Sequence, residues 1–480
     1  MKQDQKSLTP RSTSQSDWYT EVITRAKLAD YSPVRGCMVI RPYGYAIWER
    51  IQAEMDKRIK ALGVQNAYFP VFIPYSFLQR EADHVEGFAP EVALVTHVGD
   101  KELEEKLVVR PTSETIIYEM FKDWIQSYRD LPLKVNQWCN IVRWEKRTTP
   151  FLRTTEFLWQ EGHTAHATRE EADEMVKAGL DMYAAFAEEF LAIYSIKGRK
   201  TEAEKFAGAE YTTTFECMMK DKKALQSGTS HLLGQGFAKA FDVQYLGEDG
   251  DKHYAWTTSW GLSTRIIGAI ILMHGDDKGL VLPPMIAPTQ ALIVPIFKAE
   301  NKDAVAEYIS KVEASLKQQG IRYEVDWSEN SPGWKFSEGE MRGIPLRIEV
   351  GSKDMDAGVV TVVKRTDSQK QQVQLSDLES TLPNLLETIQ TEIYESAKKF
   401  TNENIIEVST YEEFKELVNK TDEAVGFVKT YFCGDKDVEA QIKEETKYTS
   451  RCVPLETYDQ EGKCFITGKP GKLTIFGKAY

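Results

Sequence analysis

The sequence predicts a multidomain α/β protein: an antiparallel sheet flanked by helices, a second mixed α/β domain and a small α/β C-terminal region. The segment 134–163 has the pattern of two strands joined by a short turn. A linker with three prolines, 278–290, separates this part from one in which strands and helices alternate. The chain of 480 residues is long enough for about two or three domains.

The composition is that of a globular protein, with 42% hydrophobic and 28% charged residues. No apolar run reaches membrane-spanning length and the polar start is not a signal peptide, so we expect a cytoplasmic protein without a membrane partner. The net charge of −13 excludes a protein that simply coats nucleic acid. We therefore expect no DNA partner, and any RNA contact must use local basic patches. Six scattered cysteines argue against a disulfide framework.

The segment before the hairpin begins with a polar stretch, 1–16, that predicts a disordered tail. A short amphipathic helix is expected over 18–28. Gly63 ends a longer predicted helix. Its apolar residues recur at helical spacing: Ile47, Ile51, Met55 and Ile59. The strand expected over 67–73 contains a proline, which restricts it to a sheet edge or an interface.

A short strand followed by a helix is predicted over 107–124. Thr112 or Ser113 is placed to cap this helix, and Glu114 lies in its first turn, where an acid interacts favourably with the helix dipole. These structural roles explain all three residues without a ligand.

One face of the hairpin carries charged and aromatic side chains. Arg143 and Glu145 lie two apart on the first arm, and Arg153, Phe157 and Glu161 share a parity on the second. Guanidinium groups suit phosphate and a ring face suits a base, so we expect a polyanionic, aromatic ligand here.

The alternative is a solvated hairpin whose cross-strand ion pairs contribute little. The opposite parity carries Trp144, Leu152 and Leu158, which predicts a buried side. A hairpin with a buried side is not a loose surface feature, and this favours the ligand-binding interpretation.

Beyond the hairpin, a long scaffold helix is predicted over 168–193. A strand and the glycine turn of Q-S-G-T-S-H then place Gln226, Thr229 and His231 close together. A lone histidine is more often structural than functional, but this one follows hydroxyl groups and a glycine.

A further strand over 253–260 precedes Gly261, which is expected to turn the chain into an apolar helix. Arg265 falls in the first turn of that helix, where a cation opposes the helix dipole. Arg265 therefore needs an anion nearby, either from a ligand or from a neighbouring acid.

These segments resemble a known family through nearly the whole chain. V-R-W-E, a loop and F-L-R-T-T-E-F-x-W-Q-E-G-H resemble motif 2 of class II aminoacyl-tRNA synthetases in its prolyl-tRNA synthetase form. W-G-L-S-T-R resembles motif 3, and the helix, strand and proline before the hairpin resemble motif 1, which builds the dimer interface in that family. The resemblance implies a class II catalytic domain over 17–284, a homodimer, and a proline–tRNA ligase acting on tRNA(Pro).

The resemblance also implies an ATP site. Arg143 would neutralise the α-phosphate and the proline carboxylate, and Arg153 and Arg265 would hold the outer phosphates. Glu145 would orient adenine and Phe157 would stack on it. Arg143 and Arg265 are the implied catalytic residues, with Mg²⁺ bridging the phosphates. Further implied ATP contacts are Gln226, Thr229 and Ser263.

A proline site is implied by R-P-T-S-E and A-L-Q-x-x-T-S-H. The first resembles the loop whose Thr and Glu hold proline, and the second contains a His that helps to form the pocket. Proline carries a secondary ammonium with two donors, which a carboxylate and a hydroxyl can accept. The implied proline-binding residues are Thr112, Glu114, Arg143 and His231.

The region 285–398 resembles the anticodon-binding domain of class IIa synthetases. Its candidate RNA contacts are Lys335, Arg342, Arg347, Lys353, Lys364 and Arg365. A charge run is more often only a solvated face.

The region 399–480 resembles the C-terminal zinc-binding domain of the archaeal- and eukaryote-like branch, and the chain resembles the members of that branch without an editing insertion. Of four expected cysteines only Cys433 and Cys464 match, while Val438 and Thr467 occupy the other positions. Structural zinc takes four ligands, so we expect no zinc. The terminal Tyr480 matches a residue whose carboxylate tucks toward the active site in that family.

Other functions remain as alternatives. The chain could be another class IIa synthetase of threonyl or glycyl type, a non-catalytic paralogue that binds tRNA or a protein, or a ligase that charges a carrier protein. P-loop, dinucleotide-binding and G-x-S-x-G motifs do not occur, and neither do the signatures of the other synthetase class.

Overall fold

The computed structural model describes residues 7–80 and 92–480. The helices in these ranges are α1 (Gln15–Arg25), α2 (Pro42–Ala61), α3 (Tyr75–Leu78), α4 (Glu114–Trp124), α5 (Arg169–Leu191), α6 (Gly236–Ala240), α7 (Arg265–His274), α8 (Lys302–Gln318), α9 (Pro332–Met341), α10 (Ser352–Ala357), α11 (Leu378–Glu403), α12 (Tyr411–Val418) and α13 (Lys436–Thr446). None of these helices combines the length and the apolar character that crossing a bilayer requires.

The strands of the same ranges are β1 (Ala29–Tyr31), β2 (Met38–Ile40), β3 (Gln65–Asn66), β4 (Phe72–Pro74), β5 (Ala93–Val98), β6 (Lys101–Val109), β7 (Leu133–Val142), β8 (Glu156–His166), β9 (Ile196–Arg199), β10 (Tyr211–Met218), β11 (Ala224–Gly234), β12 (Gln244–Leu246), β13 (Lys252–Tyr254), β14 (Trp256–Ser263), β15 (Ala291–Ile296), β16 (Tyr323–Val325), β17 (Leu346–Gly351), β18 (Val359–Lys364), β19 (Lys370–Gln374), β20 (Ile405–Glu407), β21 (Phe427–Phe432), β22 (Thr449–Pro454), β23 (Glu461–Lys463) and β24 (Pro470–Gly477).

The main sheet has 12 strands in the order β20-β21-β24-β22-β9-β10-β11-β14-β8-β7-β3, with β23 paired to β24. Its neighbours are antiparallel except at the two ends, where β3 pairs with β7 and β20 with β21 in parallel. Because β22 pairs with β9, the C-terminal region continues the same sheet as the central strands. The predicted antiparallel sheet with flanking helices is therefore confirmed.

A second sheet follows the proline-rich linker, with the order β16-β15-β17-β18-β19. Its first two pairings are parallel and its last two antiparallel, which confirms the predicted mixed α/β architecture. The apolar faces of α8 and α11 cover it in one core cluster. A smaller antiparallel sheet, β4-β6-β5, leads into α4.

A disordered tail is predicted over 1–16, but residues 7–16 are ordered. Residues 1–6 lie outside the described residues. The Leu8 side chain is 5% exposed within the main core. The Thr9 hydroxyl donates a hydrogen bond to Glu21 at 2.7 Å, and α1 begins at Gln15. A polar segment stays disordered when it has no surface to pack against. Here α1 provides such a surface, so the segment is ordered.

Most of the strand predicted over 67–73 is absent: only its last two residues lie in a strand, β4, and β3 ends before it at Asn66. β3 pairs with β7, whereas β4 pairs with β6. Pro70 lies between them, and a residue without an N–H cannot continue a ladder.

The hairpin forms as predicted from β7 and β8, but its arms are shorter than expected. β7 ends at Val142, so strand alternation no longer applies to the residues that follow. Trp144 is 56% exposed, and its predicted burial is wrong, whereas Leu152 is buried.

Two predicted glycine turns are also absent. Gly228 lies inside β11, and Gly261 lies inside β14, paired with Glu161 of β8. Cross-strand pairing continues to Ser263, so the chain stays extended until α7 begins at Arg265.

Gly162 in β8 is required by close packing. A Cβ atom there would lie 2.1 Å from the ring of Trp260, which is 1% exposed. We expect Gly162→Ala to lower the free energy of unfolding by about 2–4 kcal/mol because the ring has no space to move. Urea unfolding measures this. Gly333→Ala is the control, since no heavy atom lies within 4 Å of its Cβ position; an equal loss there would contradict the packing argument.

Candidate active site

A cleft of about 220 Å³ opens on the main sheet over β8, β10, β11 and β14. Its lining includes Thr112, Glu114, Arg143, Phe157, Gln226, Thr229, His231, Ser263 and Arg265. These residues come from distant parts of the chain, and the sheet order brings them together. Glu145 and Arg153 are not among the lining residues.

Arg265 is the first residue of α7. Its Nε donates to the carbonyl oxygen of Leu152 at 3.0 Å, and Nη1 donates to that of Gln226 at 3.5 Å. Burial, followed by the positive charges of Arg143 and Arg153, lowers the pKa of Arg265 to about 10. The guanidinium stays charged at neutral pH among other cations, which is a setting that a polyanion relieves.

Arg143 lies just beyond the end of β7 and reaches into the same cleft. Its Nε donates to the carbonyl oxygen of Pro111 at 2.9 Å. The guanidinium carbon is 5.6 Å from the ring centroids of both Phe157 and Trp159. Arg143 thus connects the loop before α4 to the aromatic side chains of β8.

Arg153 and Glu145 pair with each other at 2.7 Å. Both lie in the connection between β7 and β8, where the Arg153 side chain is 54% exposed. The predicted strand alternation of Arg143, Glu145 and Arg153 is wrong, because none of the three is in a strand. Phe157 does lie on β8 and does face the cleft.

The loop before α4 directs its polar groups to the cleft. The hydroxyl of Thr112 donates to the carboxylate of Glu114, and both residues are buried. Ser113 occupies the N-cap position but makes no capping hydrogen bond. Its hydroxyl donates instead to Oε1 of Glu161 at 2.5 Å, so the prediction that Thr112 or Ser113 caps the helix is wrong.

Glu161 and His163 form a buried pair in the cleft, with Oε2 and Nε2 2.9 Å apart. Burial opposes ionisation of Glu161, but the hydrogen bond and charge of His163 outweigh it and lower the pKa of Glu161. Burial likewise opposes the charge on His163, and Glu161 outweighs it and raises the pKa of His163. Each partner thus favours the charged form of the other.

His231 is held between two hydroxyl groups. Its Nδ1 lies 2.9 Å from Thr212 Oγ1, and its Nε2 lies 3.0 Å from Thr229 Oγ1. Burial lowers the pKa of His231 to about 4, so the ring is neutral at neutral pH. The Phe206 ring centroid is 4.6 Å away, which makes this end of the cleft partly apolar.

The sequence argument missed several residues of the cleft. Trp159 and His163 share the parity of Phe157 and Glu161, so strand alternation could have identified them. Phe206 enters from the loop between β9 and β10, and no local pattern signals it.

The candidate RNA contacts are mostly engaged in ion pairs within the chain. Arg365 holds Asp276 with two hydrogen bonds of 2.6 and 2.8 Å, and Arg342 holds Glu324 with two of 2.7 and 2.8 Å. Five of the six form ion pairs with acidic residues: Lys335, Arg342, Arg347, Lys364 and Arg365. Lys335 is buried, and Lys353 is exposed.

The two cysteines expected to remain from a zinc site lie in the C-terminal region. The Thr467 hydroxyl donates to Cys433 Sγ at 3.6 Å, and Val438 packs in the same apolar cluster as Cys433 and Cys464. Across 7–80 and 92–480, His, Cys, Asp and Glu side chains form no group of three or more that could hold a metal ion.

Three family models match the chain. Residues 95–274 match the class II tRNA synthetase core domain of the G, H, P, S and T types, and 290–385 match an anticodon-binding domain. Residues 411–480 match the C-terminal domain of prolyl-tRNA synthetases. The class II core, anticodon-binding and C-terminal architecture is therefore present.

Curated relatives are similar over their full length. A proline–tRNA ligase of Chloroherpeton thalassium is 54% identical over 98% of this chain and 99% of the relative. One of Porphyromonas gingivalis is 50% identical over 100% of both chains.

Solved structures agree with these sequence relatives. The prolyl-tRNA synthetase of Cryptosporidium parvum complexed with halofuginone and AMPPNP has a TM-score of 0.93 and 45% identity, covering 98% of this chain and 99% of that one. The same protein complexed with L-proline and AMP has a TM-score of 0.92 and 43% identity, covering 99% and 97%. The chain belongs to the family of class II prolyl-tRNA synthetases, the proline–tRNA ligases.

Proposed function

We propose that the protein is a proline–tRNA ligase, which activates proline with ATP and transfers the prolyl group to the 3′ end of tRNA(Pro). The observation that carries this is the meeting of Arg143 and Arg265 with the Thr112–Glu114 pair in one cleft. Two cations suit a triphosphate, and a carboxylate with a hydroxyl suits a secondary ammonium. The C. parvum relative, solved with AMPPNP and with L-proline and AMP, supports proline and an adenine nucleotide as the ligands.

The first step joins the two substrates. A carboxylate oxygen of proline attacks the α-phosphorus of ATP, and the bond to the bridging oxygen of the β-phosphate breaks to release pyrophosphate. Arg143 neutralises the charge that gathers at the α-phosphate and the proline carboxylate. Arg265, assisted by Arg153, holds the outer phosphates. Such a reaction depends on positioning and charge stabilisation more than on a covalent nucleophile.

The nucleotide is held by side chains around these arginines. Phe157 stacks on adenine, and the contact between the Phe157 ring and Arg143 fixes the orientation of that ring. Glu145 orients the base. The other ATP contacts are Gln226, Thr229 and Ser263, which share the cleft with Arg265. Mg²⁺ bound with the nucleotide would supply further neutralisation of phosphate charge.

Proline occupies the end of the cleft formed by Thr112, Glu114 and His231. Glu114 accepts from the secondary ammonium and Thr112 supplies a second polar contact. The neutral ring of His231, stacked near Phe206, forms an apolar wall for the pyrrolidine ring. Alanine is smaller than proline and is separated from it by only about 1–3 kcal/mol per methylene, so we expect some misactivation of alanine.

The second step transfers the prolyl group. The terminal hydroxyl of the tRNA attacks the prolyl carbonyl and AMP leaves. We assign 17–284 to catalysis, 285–398 to anticodon binding, and 399–480 to the C-terminal domain. Since Arg342 and Arg365 are committed to Glu324 and Asp276, Lys353 is the better candidate for an RNA contact.

We also propose a homodimer formed through the motif 1 region. Large apolar side chains are exposed there: Tyr31 (67%), Val39 (52%), Tyr68 (71%) and Phe72 (47%). Exposed apolar surface of this kind favours burial against a second copy of the chain. The site of action is the cytoplasm, where tRNA charging for protein synthesis takes place.

The chain is proposed to belong to the archaeal- and eukaryote-like branch without an editing insertion, although the Chloroherpeton thalassium and Porphyromonas gingivalis relatives are bacterial. Its similarity to the C. parvum protein along the full length supports this. Fewer than about 100 residues separate the hairpin from α7, which is too few for an additional domain of ordinary size.

We expect the purified protein to contain no stoichiometric zinc, because Val438 and Thr467 provide no thiolate. Elemental analysis of the purified protein measures this, and a full equivalent of zinc would contradict it. The double substitution Val438→Cys and Thr467→Cys is the matched control. It adds two thiols, which with Cys433 and Cys464 make four, and should create zinc binding that the parent chain lacks.

Prolyl-tRNA formation is the experiment that tests the proposed function. Proline, ATP, Mg²⁺ and tRNA(Pro) should give prolyl-tRNA, and proline should support exchange between ATP and pyrophosphate. Exchange with threonine or glycine but not proline would favour another class IIa synthetase. Tight ATP binding without charging would favour a non-catalytic paralogue. Charging of a carrier protein in place of tRNA would favour the carrier-ligase alternative.

A further inference from the structure

A buried ion triad joins the C-terminal region to the central strands of the main sheet. Arg451 of β22 donates to Glu216 Oε2 on β10 through Nε at 3.0 Å and Nη2 at 2.8 Å. Lys200, just after β9, lies 2.8 Å from Oε1 of the same carboxylate. The side chains of Lys200, Glu216 and Arg451 are 1%, 0% and 7% exposed.

This triad is a costly way to attach one part of a protein to another. Taking charges out of water is expensive, and apolar residues of similar volume often stabilise an interface equally well. Burial opposes the charge on Glu216, but Lys200 and Arg451 outweigh it and lower the pKa of Glu216. The carboxylate is thus ionised, and its two cations leave one excess positive charge inside the protein.

The position of Glu216 links the triad to the cleft. In the antiparallel ladder Glu216 is directly opposite Gln226 of β11, and the register shifts between Phe215 and Glu216. Gln226 lines the cleft, and its carbonyl oxygen accepts from Nη1 of Arg265 at 3.5 Å. One continuous set of contacts therefore runs from Arg451 to the guanidinium proposed to hold the outer phosphates.

The charge of Arg451 also reaches Arg265 directly. Burial is the main cause of the lowered pKa of Arg265, and the charges of Arg143, Arg153 and Arg451 add to it in that order. A cation that repels the charged Arg265 attracts a phosphate placed beside it, because one positive field acts on both groups with opposite sign.

We propose that Arg451 is a positioning residue for the ATP end of the active site. Through Glu216 it fixes the part of the sheet that carries Gln226, and its charge adds to the field that receives the phosphates. The C-terminal region thereby takes part in nucleotide binding without contacting the nucleotide. The inference rests on the proposed function for the identity of the ligand.

The test compares Arg451→Met with Arg451→Lys in the full-length protein. In exchange between ATP and pyrophosphate, Arg451→Met should raise the KM for ATP by about tenfold and change the KM for proline by less than about twofold. Arg451→Lys keeps the charge and should recover most of the loss. An equal rise in both KM values, or no rise for ATP, would overturn the proposal.

Thr201→Val provides the matched control at the same boundary. The Thr201 hydroxyl lies 3.1 Å from Glu439 Oε1 and 3.0 Å from Ser450 Oγ, so it also joins the C-terminal region to the sheet. Within the described residues its hydroxyl makes no hydrogen bond to Glu216 or Gln226, and its loss should leave the KM for ATP within about twofold. If Thr201→Val weakened ATP as much as Arg451→Met, general loosening of the boundary would be the cause and the proposal would fail.

Direct binding of AMPPNP, measured by calorimetry, separates this inference from the proposed function. AMPPNP binding weakened by Arg451→Met in a protein that charges no tRNA would support the inference and refute the function. Normal tRNA charging by the parent protein, together with AMPPNP binding that Arg451→Met leaves unchanged, would support the proposed function and refute the inference. If Arg451→Met does not fold, Arg451→Lys provides the test. It should bind AMPPNP about threefold more weakly, because one ammonium cannot reproduce two guanidinium hydrogen bonds. Unchanged AMPPNP binding would count against the proposal.

Discussion

Replacing Arg265 by methionine is expected to reduce kcat/KM for ATP about 1,000-fold in proline-dependent pyrophosphate exchange. Methionine keeps the length and apolar stem of the side chain but removes the charge. Arg265 is held in place by the carbonyl groups of Leu152 and Gln226 before any ligand arrives. Because the guanidinium is already oriented, little reorganisation of the site is needed when phosphate binds. Removing this charge therefore causes a large loss of activity.

A matched control for this substitution is Arg322→Met. Arg322 also donates to two carbonyl groups, those of Ala287 at 3.0 Å and Pro284 at 2.8 Å. Burial, followed by the charge of Arg50, lowers the pKa of Arg322 to about 10, as for Arg265. It lies outside the cleft, so exchange should stay within about twofold of the parent protein.

Loss of exchange in both variants would mean that removing a partly buried arginine harms the fold and not the site. Retention of exchange in Arg265→Met would contradict the role assigned to Arg265. Circular dichroism of each variant establishes that the compared proteins are folded.

Replacing Glu114 by glutamine is expected to reduce kcat/KM for proline about 100-fold, while AMPPNP binding stays unchanged. The substitution preserves shape but replaces an acceptor-only carboxylate by an amide. The hydroxyl of Thr112 donates to that carboxylate, so the charge also orients its neighbour. A buried secondary ammonium would lose its counter-charge and one of two acceptors.

Glu119→Gln is the control on the same helix. Glu119 pairs with Arg80 on the outer side of α4 and does not line the cleft. Its replacement should change kcat/KM for proline by less than about twofold, because surface ion pairs contribute little. If Glu114→Gln weakened ATP and proline equally, Glu114 would support the cleft as a whole instead of recognising proline.

Much of the cleft is identifiable through the resemblance of short motifs to those of a known family. Thr112, Glu114, Gln226, Thr229 and His231 stand in such motifs, and all of them line one cleft. Their roles remain proposals. Local patterns do not identify the hydrogen-bond partner of each group. Ser113 is an example: it occupies the N-cap position of α4, but its hydroxyl donates to Glu161.

Errors arose where a local rule was extended past the element that supports it. Strand alternation was applied to Arg143, Glu145 and Trp144, but β7 ends before them. Gly228 and Gly261 were interpreted as turns, whereas cross-strand pairing keeps both extended. Ladder hydrogen bonds with neighbouring strands outweigh the conformational freedom of a single glycine.

Local sequence patterns predict the hairpin, the mixed α/β region beyond the proline-rich linker and the residue types able to receive a triphosphate. These follow from periodicity, proline chemistry and charge, which are properties of neighbouring residues. The buried hydrogen bond between Arg451 and Glu216, which are 235 positions apart, is visible only in the folded chain. Such pairing depends on strand order in the completed sheet, and strand order is set by packing between distant segments, which no local pattern records.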